Sequence, residues 1–251
     1  MNAQRIPVLM YHRIGEANNN WEQKYCISPG NFSAHMQTLA DAGYNACTVN
    51  DVIDWLAGKI DLPDKSLLIT FDDGYLGVFE HGLPVLQKLG WPAVMFLVSG
   101  LIGKEDIWCS EENPTKTTYP LMILNEVRIM REQGFSFQSH SRSHPDLSQR
   151  DASQLDEELT GSQKDLEELL EESVDYIAYP YGRYNELVME SAKKAGYKAA
   201  FTVQPGFNRP GLDPFQIRRI DVFGTDTPAM LLRKVSLGTN DGSMSHMCRY
   251  Y

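Results

Sequence analysis

Long hydrophobic runs are missing from this 251-residue chain. The longest, such as Ala93–Val98, cover about six residues, against the roughly 18 that a membrane span needs. The start, MNAQRIPVLMYHRIG, holds a five-residue apolar run and nothing resembling a cleavage site, so it does not read as a signal peptide. Paired cysteines are missing too: Cys26, Cys47, Cys109 and Cys248 form no C-x-x-C and show no even spacing, which fits free thiols in a reducing compartment. Basic residues are in deficit, 23 Lys and Arg against 33 Asp and Glu for a net charge of -10. Duplex DNA and anionic membrane surfaces reward clustered Lys and Arg, so neither is an expected partner. No Gly/Ser or Pro-rich linker and no solenoid-length repeat divides the sequence. One domain over residues 1–240 with a poorly ordered tail over 241–251 is the expectation, and the oligomeric state is not readable.

What is present is an alternation. Short apolar, often β-branched runs predict strands at Pro7–Tyr11, Asn45–Thr48, Leu67–Phe71, Ala93–Val98, Phe135–Ser139, Tyr176–Tyr179, Ala199–Val203 and Gln216–Ile220. Helical patterns lie between them, near Pro29–Ala42, Asp51–Ala57, Gly77–Leu89, Tyr119–Gln133, Asp151–Glu172, Asn185–Ala195 and Pro228–Leu237. Ser28-Pro29, Asn50 and Thr227-Pro228 look like helix starts, and Gly43, Gly90, Gly134 and Gly196 like stops. The helix over 151–172 carries nine acids against one Lys, with Leu155, Leu159, Leu166 and Leu170 on one face; its acidic side reads as solvated surface. Strand–helix alternation over the whole chain means parallel strands with helical crossovers. Seven or eight such units suit a distorted α/β structure, a (β/α) barrel, better than an open sheet, and no G-x-G-x-x-G follows the first strand to suggest a dinucleotide fold.

Barrels place their chemistry at the C-terminal strand ends. His12 follows the first predicted strand, Asp72-Asp73-Gly74-Tyr75 the third, His140-Ser-Arg-Ser-His144 the fifth, Pro180-Tyr181-Gly182 the sixth and Asp221 the last. Adjacent carboxylates after a buried strand repel each other and are costly to bury unless a cation or hydrogen-bond donors receive them. His140 and His144 sit four apart, a spacing that puts two imidazoles on one side of a turn. Two His and one carboxylate with open positions describe a hydrolytic Zn²⁺ site or a non-haem iron site. The spare aspartate favours the hydrolase, whose bound water needs a base. His35 and His81 fall inside helical patterns and read as surface residues, and His246 lies in the tail. Phosphate loops and serine nucleophile elbows are absent.

Thr70-Phe71-Asp72-Asp73-Gly74-Tyr75, His140-Ser-Arg-Ser-His144 and Tyr179-Pro180-Tyr181-Gly182 together resemble the polysaccharide deacetylase (NodB-like) family, over most of the chain from Val8 to about Asp221. The resemblance implies a distorted barrel and a metal-dependent hydrolase that removes N-acetyl groups from sugars in surface-glycan metabolism. It implies Asp72 as general base and Asp73, His140 and His144 as ligands for Zn²⁺, with Co²⁺, Ni²⁺, Mn²⁺ or Fe²⁺ as substitutes. The Tyr181 backbone N–H would steady the oxyanion, and Tyr75, Pro180 and Tyr181 would meet substrate. Two features depart from the pattern. Ala178 stands where the family has Arg, and no Leu-x-His follows Asp221. Met10-Tyr11-His12-Arg13-Ile14 is similar to the circularly permuted branch that includes poly-N-acetylglucosamine deacetylases, which makes His12 the expected acid with Asp221 its partner and a pKa near neutrality. Arg219 would replace the missing Arg. An amidase acting on small cyclic amides and an inactive sugar-binding relative are the alternatives. With no leader seen, a cytoplasmic enzyme is expected, or else an exported one whose leader this chain lacks.

Overall fold

The computed structural model describes residues 4–245; His246 and Cys248, like most of the expected tail, lie outside the described residues. The strands are β1 (Val8–Tyr11), β2 (Arg13–Ile14), β3 (Cys26–Ile27), β4 (Asn45–Ala46), β5 (Ser66–Phe71), β6 (Ala93–Leu97), β7 (Phe135–Ser139), β8 (Tyr176–Ala178), β9 (Ala199–Phe201) and β10 (Ile220–Asp221). The helices are α1 (Pro29–Asp41), α2 (Val49–Leu56), α3 (Leu83–Leu89), α4 (Cys109–Glu112), α5 (Leu124–Glu132), α6 (Ala152–Leu170), α7 (Glu186–Ala195) and α8 (Pro228–Leu237). The sheet runs β10-β1-β5-β6-β7-β8-β9, with β4 added on β5. Every pairing in it is parallel. It curls into the expected distorted (β/α) barrel, and one segment draws its ends together: Ile217 bridges to Phe201 of β9, and Ile220 pairs with Leu9 of β1.

Successive strand residues face opposite sides, and the two sides form separate cores. Leu9, Ile69, Phe71, Met95, Phe137 and Ile177 pack outward against the helices. Val8, Leu68, Val94, Phe96, Ala178 and Phe201 form the inner cluster together with Val52, Trp55 and Leu56 of α2. Trp55 Nε1 donates to Gln4 Oε1 at 2.9 Å and Tyr176 hydroxyl to Asn50 Oδ1 at 2.7 Å, so α2 plugs the N-terminal end of the barrel and leaves the C-terminal rim open. Carried past the strand ends, the inner register puts His12 two residues after Met10, Asp72 after Thr70, His140 after Gln138 and Arg219 after Ile217. The same alternation that builds the core therefore aims the ionisable residues at one rim.

Local signals explain most boundaries. Ser28 caps α1 by accepting from Asn31 N, with Pro29 opening the helix. Gly43, Gly90, Gly134 and Gly196 all take positive φ where helices end. In α6 the leucine stripe is buried, each side chain contributing roughly 1.5–3 kcal/mol.

Several expectations are corrected. The cap of α2 is Thr48, in a capping box with Asp51, and Asn50 lies inside the helix. The segment expected to open α5 at Tyr119 runs extended to Met122 and bridges Tyr75 and Glu105, since Pro120 disfavours helix in the residue before it. The last predicted strand starts at the end of a turn over Pro214–Gln216, makes only an isolated bridge at Ile217 and becomes a strand at Ile220–Asp221, so Asp221 lies within β10 rather than beyond it. His35 is fully buried: it shares the inner face of α1 with Phe32, Met36 and Leu39, where Tyr11 hydroxyl and the Asp226 carbonyl meet its ring nitrogens at 3.3 and 2.8 Å. The acidic face of α6 is not wholly solvated either. Glu158 accepts from Arg142 N, Ser143 N and the Ser143 hydroxyl, and Asp165 accepts from the Ser99 hydroxyl and Arg142 Nε. No described helix is long and apolar enough to cross a membrane.

Candidate metal centre

The loops after β5 and β7 hold the centre. Asp73 Oδ1 lies 3.5 Å from His140 Nε2 and 3.4 Å from His144 Nε2, and one donor atom from each residue falls within 4.8 Å of the other two. All three residues are buried. His140 Nδ1 donates to the Ala178 carbonyl at 2.8 Å. That bond fixes the tautomer and leaves the Nε2 lone pair facing Asp73. Asp73 Oδ1 is buried with no hydrogen-bond donor, and so is His144 Nδ1 without a partner. Acceptors facing acceptors repel, and a buried carboxylate oxygen without a donor is costly. A divalent cation removes both penalties, and two imidazoles with one carboxylate is a donor set that such ions accept. The residues present fit the metal.

The backbone is bent to build this set. Four of the non-glycine residues in the left-handed region are Asp73 (φ 75°), Ser141 (62°), His144 (63°) and Tyr181 (57°), each a strain of roughly 1–3 kcal/mol. The loop between the histidines is tied down by its own hydroxyls: Ser141 N donates to Ser139 Oγ and His144 N to Ser141 Oγ, both at 3.1 Å. Glu158 grips it from α6. Gly182, at φ 64°, has no substitute, because a Cβ there would lie 2.3 Å from Val203.

Asp72 is treated oppositely to its neighbour. Arg219 grips it with both arms, Nη1 to Oδ1 at 2.6 Å and Nη2 to Oδ2 at 2.8 Å. Arg219 is itself fully buried, with Nε donating to the Thr202 carbonyl. Burial pushes the Asp72 carboxyl up, but the Arg219 guanidinium and His140 outweigh it and hold the group at about 2. Asp73 goes the other way, raised well above its usual value by burial and then by Asp72. Burial lowers both His140 and His144.

Asp72, Asp73, His140 and His144 line a cavity of about 340 Å³ that also takes in His12, Tyr25, Trp108, Tyr181 and Asp221. Trp108 stacks on His144 at 4.4 Å between ring centres and Tyr181 meets it edge-on at 4.6 Å. Tyr75 faces the cavity, its hydroxyl donating to Asp106 at 2.8 Å. Pro180 is buried within the turn that presents Tyr181 and is not among the residues that line the cavity. His12 does not pair with Asp221 among the described hydrogen bonds. Asp221 Oδ2 accepts from Asn240 Nδ2 at 3.0 Å, and the His12 ring packs edge-on to Tyr25 at 5.2 Å. Nor is His12 poised at neutrality: burial, against the pull of Asp72 and with Arg219 and His140 adding to it, lowers the ring to about 4. Sequence reasoning passed over Tyr25, Trp108 and Glu158. No periodicity or motif marks them, because each reaches the site from a loop or a helix face whose position only the fold sets.

The family described as polysaccharide deacetylase matches residues 59–200, more than half of the chain. The chain belongs to the polysaccharide deacetylase family. Among its relatives is the poly-beta-1,6-N-acetyl-D-glucosamine N-deacetylase of Staphylococcus aureus (strain MRSA252), 26% identical over 232 residues, which cover 84% of this chain and 77% of that one. Among solved structures, the Streptococcus pyogenes deacetylase PplD in complex with acetate superposes with a TM-score of 0.79 at 25% identity, over 93% of this chain and 99% of that one. IcaB from Ammonifex degensii superposes equally well, 0.79 at 26% identity, over 93% and 96%. The chain thus shares its fold with both of these proteins.

Proposed function

We propose that the protein is a metal-dependent N-deacetylase of an N-acetylated glycan, with Asp73, His140 and His144 holding Zn²⁺ or a related divalent ion. The observation that carries this reading is Asp73 Oδ1, buried without a donor between two imidazole nitrogens at 3.4 and 3.5 Å. The chemistry such an ion supplies when bound is Lewis acidity, a water pKa lowered toward about 7 and a polarised acetyl carbonyl.

The chain's own groups divide the remaining work. Asp72 is the general base: ionised at neutral pH, it is oriented by the Arg219 fork and takes the proton of the attacking water. Keeping that proton would cost the ion pair, so Asp72 passes it on. His12 is the acid. Its low pKa makes the protonated ring a strong donor, formed once negative charge develops beside it and discharged to the leaving amine. The Tyr181 backbone N–H steadies the developing oxyanion. Tyr75, Trp108 and Tyr181 line the space that takes the acetylated sugar. The S. aureus relative, named for poly-β-1,6-N-acetylglucosamine, supports an N-acetylglucosamine polymer as the substrate class.

Acetate release from β-1,6-linked N-acetylglucosamine oligomers tests the reading. Release that a chelator abolishes and added Zn²⁺ restores is expected. Chelator-insensitive release, or turnover confined to small cyclic amides, would overturn it.

A further inference from the structure

At the mouth of the same cavity lies a buried acid that the chemistry above does not use. Glu22 is 3% exposed, and five donors converge on it. Oε2 accepts from Arg13 Nη2 at 3.0 Å, Asn18 N at 2.8 Å and the Tyr119 hydroxyl at 2.8 Å. Oε1 accepts from Asn19 Nδ2 at 3.3 Å and Asn113 Nδ2 at 3.0 Å. The Arg13 guanidinium lies on the Tyr119 ring, 3.5 Å from its centre. Two loops remote in sequence are joined there, residues 15–25 and residues 105–119. Asn19 also crosses between them directly, from Nδ2 to Asn113 Oδ1 at 3.0 Å. Each loop brings aromatic wall to the cavity: Trp21 and Tyr25 from the first, Trp108 and Tyr119 from the second. Ring contacts run outward from His12 to Tyr25 to Trp21, so the wall extends away from the reacting centre.

The geometry points to Glu22 as a positioning residue that straps these two loops into one rigid wall, and to that wall as the surface holding a sugar next to the one that reacts. This inference rests on the deacetylase reading. A buried acid is tolerated only when its lone pairs are filled, and here they are filled by donors from both loops and from Arg13. The backbone of Tyr25 is held separately, by the β2–β3 pairing and Arg13 N to Tyr25 O at 3.1 Å. Trp108 keeps its own hold at the centre through its stack on His144, so loosening Glu22 frees the outer wall more than the reacting centre.

The test uses the metal-loaded full chain with Glu22→Gln, whose single amide oxygen cannot serve five donors. For a β-1,6-linked N-acetylglucosamine pentamer, KM is expected to rise roughly tenfold or more, the worth of one charge-assisted hydrogen bond. The rise for the acetylated monosaccharide is expected to be much smaller. Metal content stays stoichiometric, and hydrogen exchange quickens in residues 15–25 and 105–119 alone. Asn19→Ala, which removes a cross-link without lining the cavity, gives the same split at smaller size and carries the test if Glu22→Gln does not fold. Equal losses on both substrates, an unchanged pentamer KM, or unchanged exchange in the two loops would each overturn the strap. A wild-type chain that holds metal yet releases no acetate from either substrate would overturn the deacetylase reading instead, and the exchange result would still report on the strap.

Discussion

Glu22 at the mouth and Asp73 at the floor are both buried acids of one cavity, and their surroundings are inverted. Five donors surround Glu22, and although burial pushes its carboxyl up, the bonds from Asn18, Asn113 and Tyr119 and the charge of Arg13 bring it below the usual range. Asp73 Oδ1 has no donor and two imidazole nitrogens beside it, and its carboxyl is raised. Burial alone says nothing about role. A carboxylate whose lone pairs are filled is a fastener, whereas one whose neighbours are lone pairs themselves is waiting for a cation.

The sharpest way to break this comparison is to remove the floor. Asp73→Ala, His140→Ala or His144→Ala should each abolish both metal binding and activity, since two remaining protein ligands cannot retain the ion. Metal content by mass spectrometry is the check, and stoichiometric metal in all three variants would end the assignment. Asp73→Asn adds a contrast with Glu22→Gln. It relieves a buried like-charge neighbour at a left-handed φ that Asn tolerates, so the metal-free protein should melt no lower than the wild type, while Glu22→Gln should lower the melting temperature.

Asp72→Asn is next in size. The metal should stay, because both Asp72 oxygens are held by Arg219 and the donor set is Asp73, His140 and His144, and turnover should fall by roughly 10²–10⁴, the worth of a general base. An apo protein from this variant would show that the two aspartates exchange roles.

His12→Ala should retain metal and lose roughly 10²-fold in kcat, because an acid is missing only when the amine departs. A substrate whose leaving amine is weakly basic should recover much of the loss. If the loss were the same for both leaving groups, His12 would be a packing residue beside Tyr25.

Much of this floor was legible in the sequence, because strand ends and period-2 alternation are local facts. Thr70 faces inward, so Asp72 must; Gln138 faces inward, so His140 must. Arg219 was reachable only as a strand-end cation, and its grip on Asp72 depends on the seam that brings residue 217 to β9 and residue 220 to β1. The mouth was not legible. Glu22 has no periodic neighbours and no motif, and its partners at 113 and 119 come from a loop about a hundred residues away. His35 was misread because a histidine at an inward position of α1 breaks the apolar pattern while obeying its geometry. Polar residues satisfied by distant backbone leave no local trace.

Asp221 sharpens the comparison from between the extremes, and the effect expected there is the smallest. It lines the cavity, and Asn240 supplies its carboxylate with an amide donor at 3.0 Å, more than Asp73 Oδ1 has and fewer than Glu22. Burial, only partly offset by Arg219 and Lys234, raises its carboxyl to about 6. A carboxyl whose folded pKa lies above its unfolded value binds protons more tightly when folded. The folded state therefore loses relative stability as pH climbs from about 4 to about 6, and the deficit persists above that window. Asp221→Asn keeps an oxygen for Asn240 and carries no charge. Its stability in denaturant titrations should match the wild type near pH 4 and exceed it at pH 8 by on the order of 1–3 kcal/mol. A difference that did not change with pH would mean that Asp221 is already satisfied when ionised, which would move it to the side of Glu22 and leave Asp73 as the cavity acid whose charge still needs a cation.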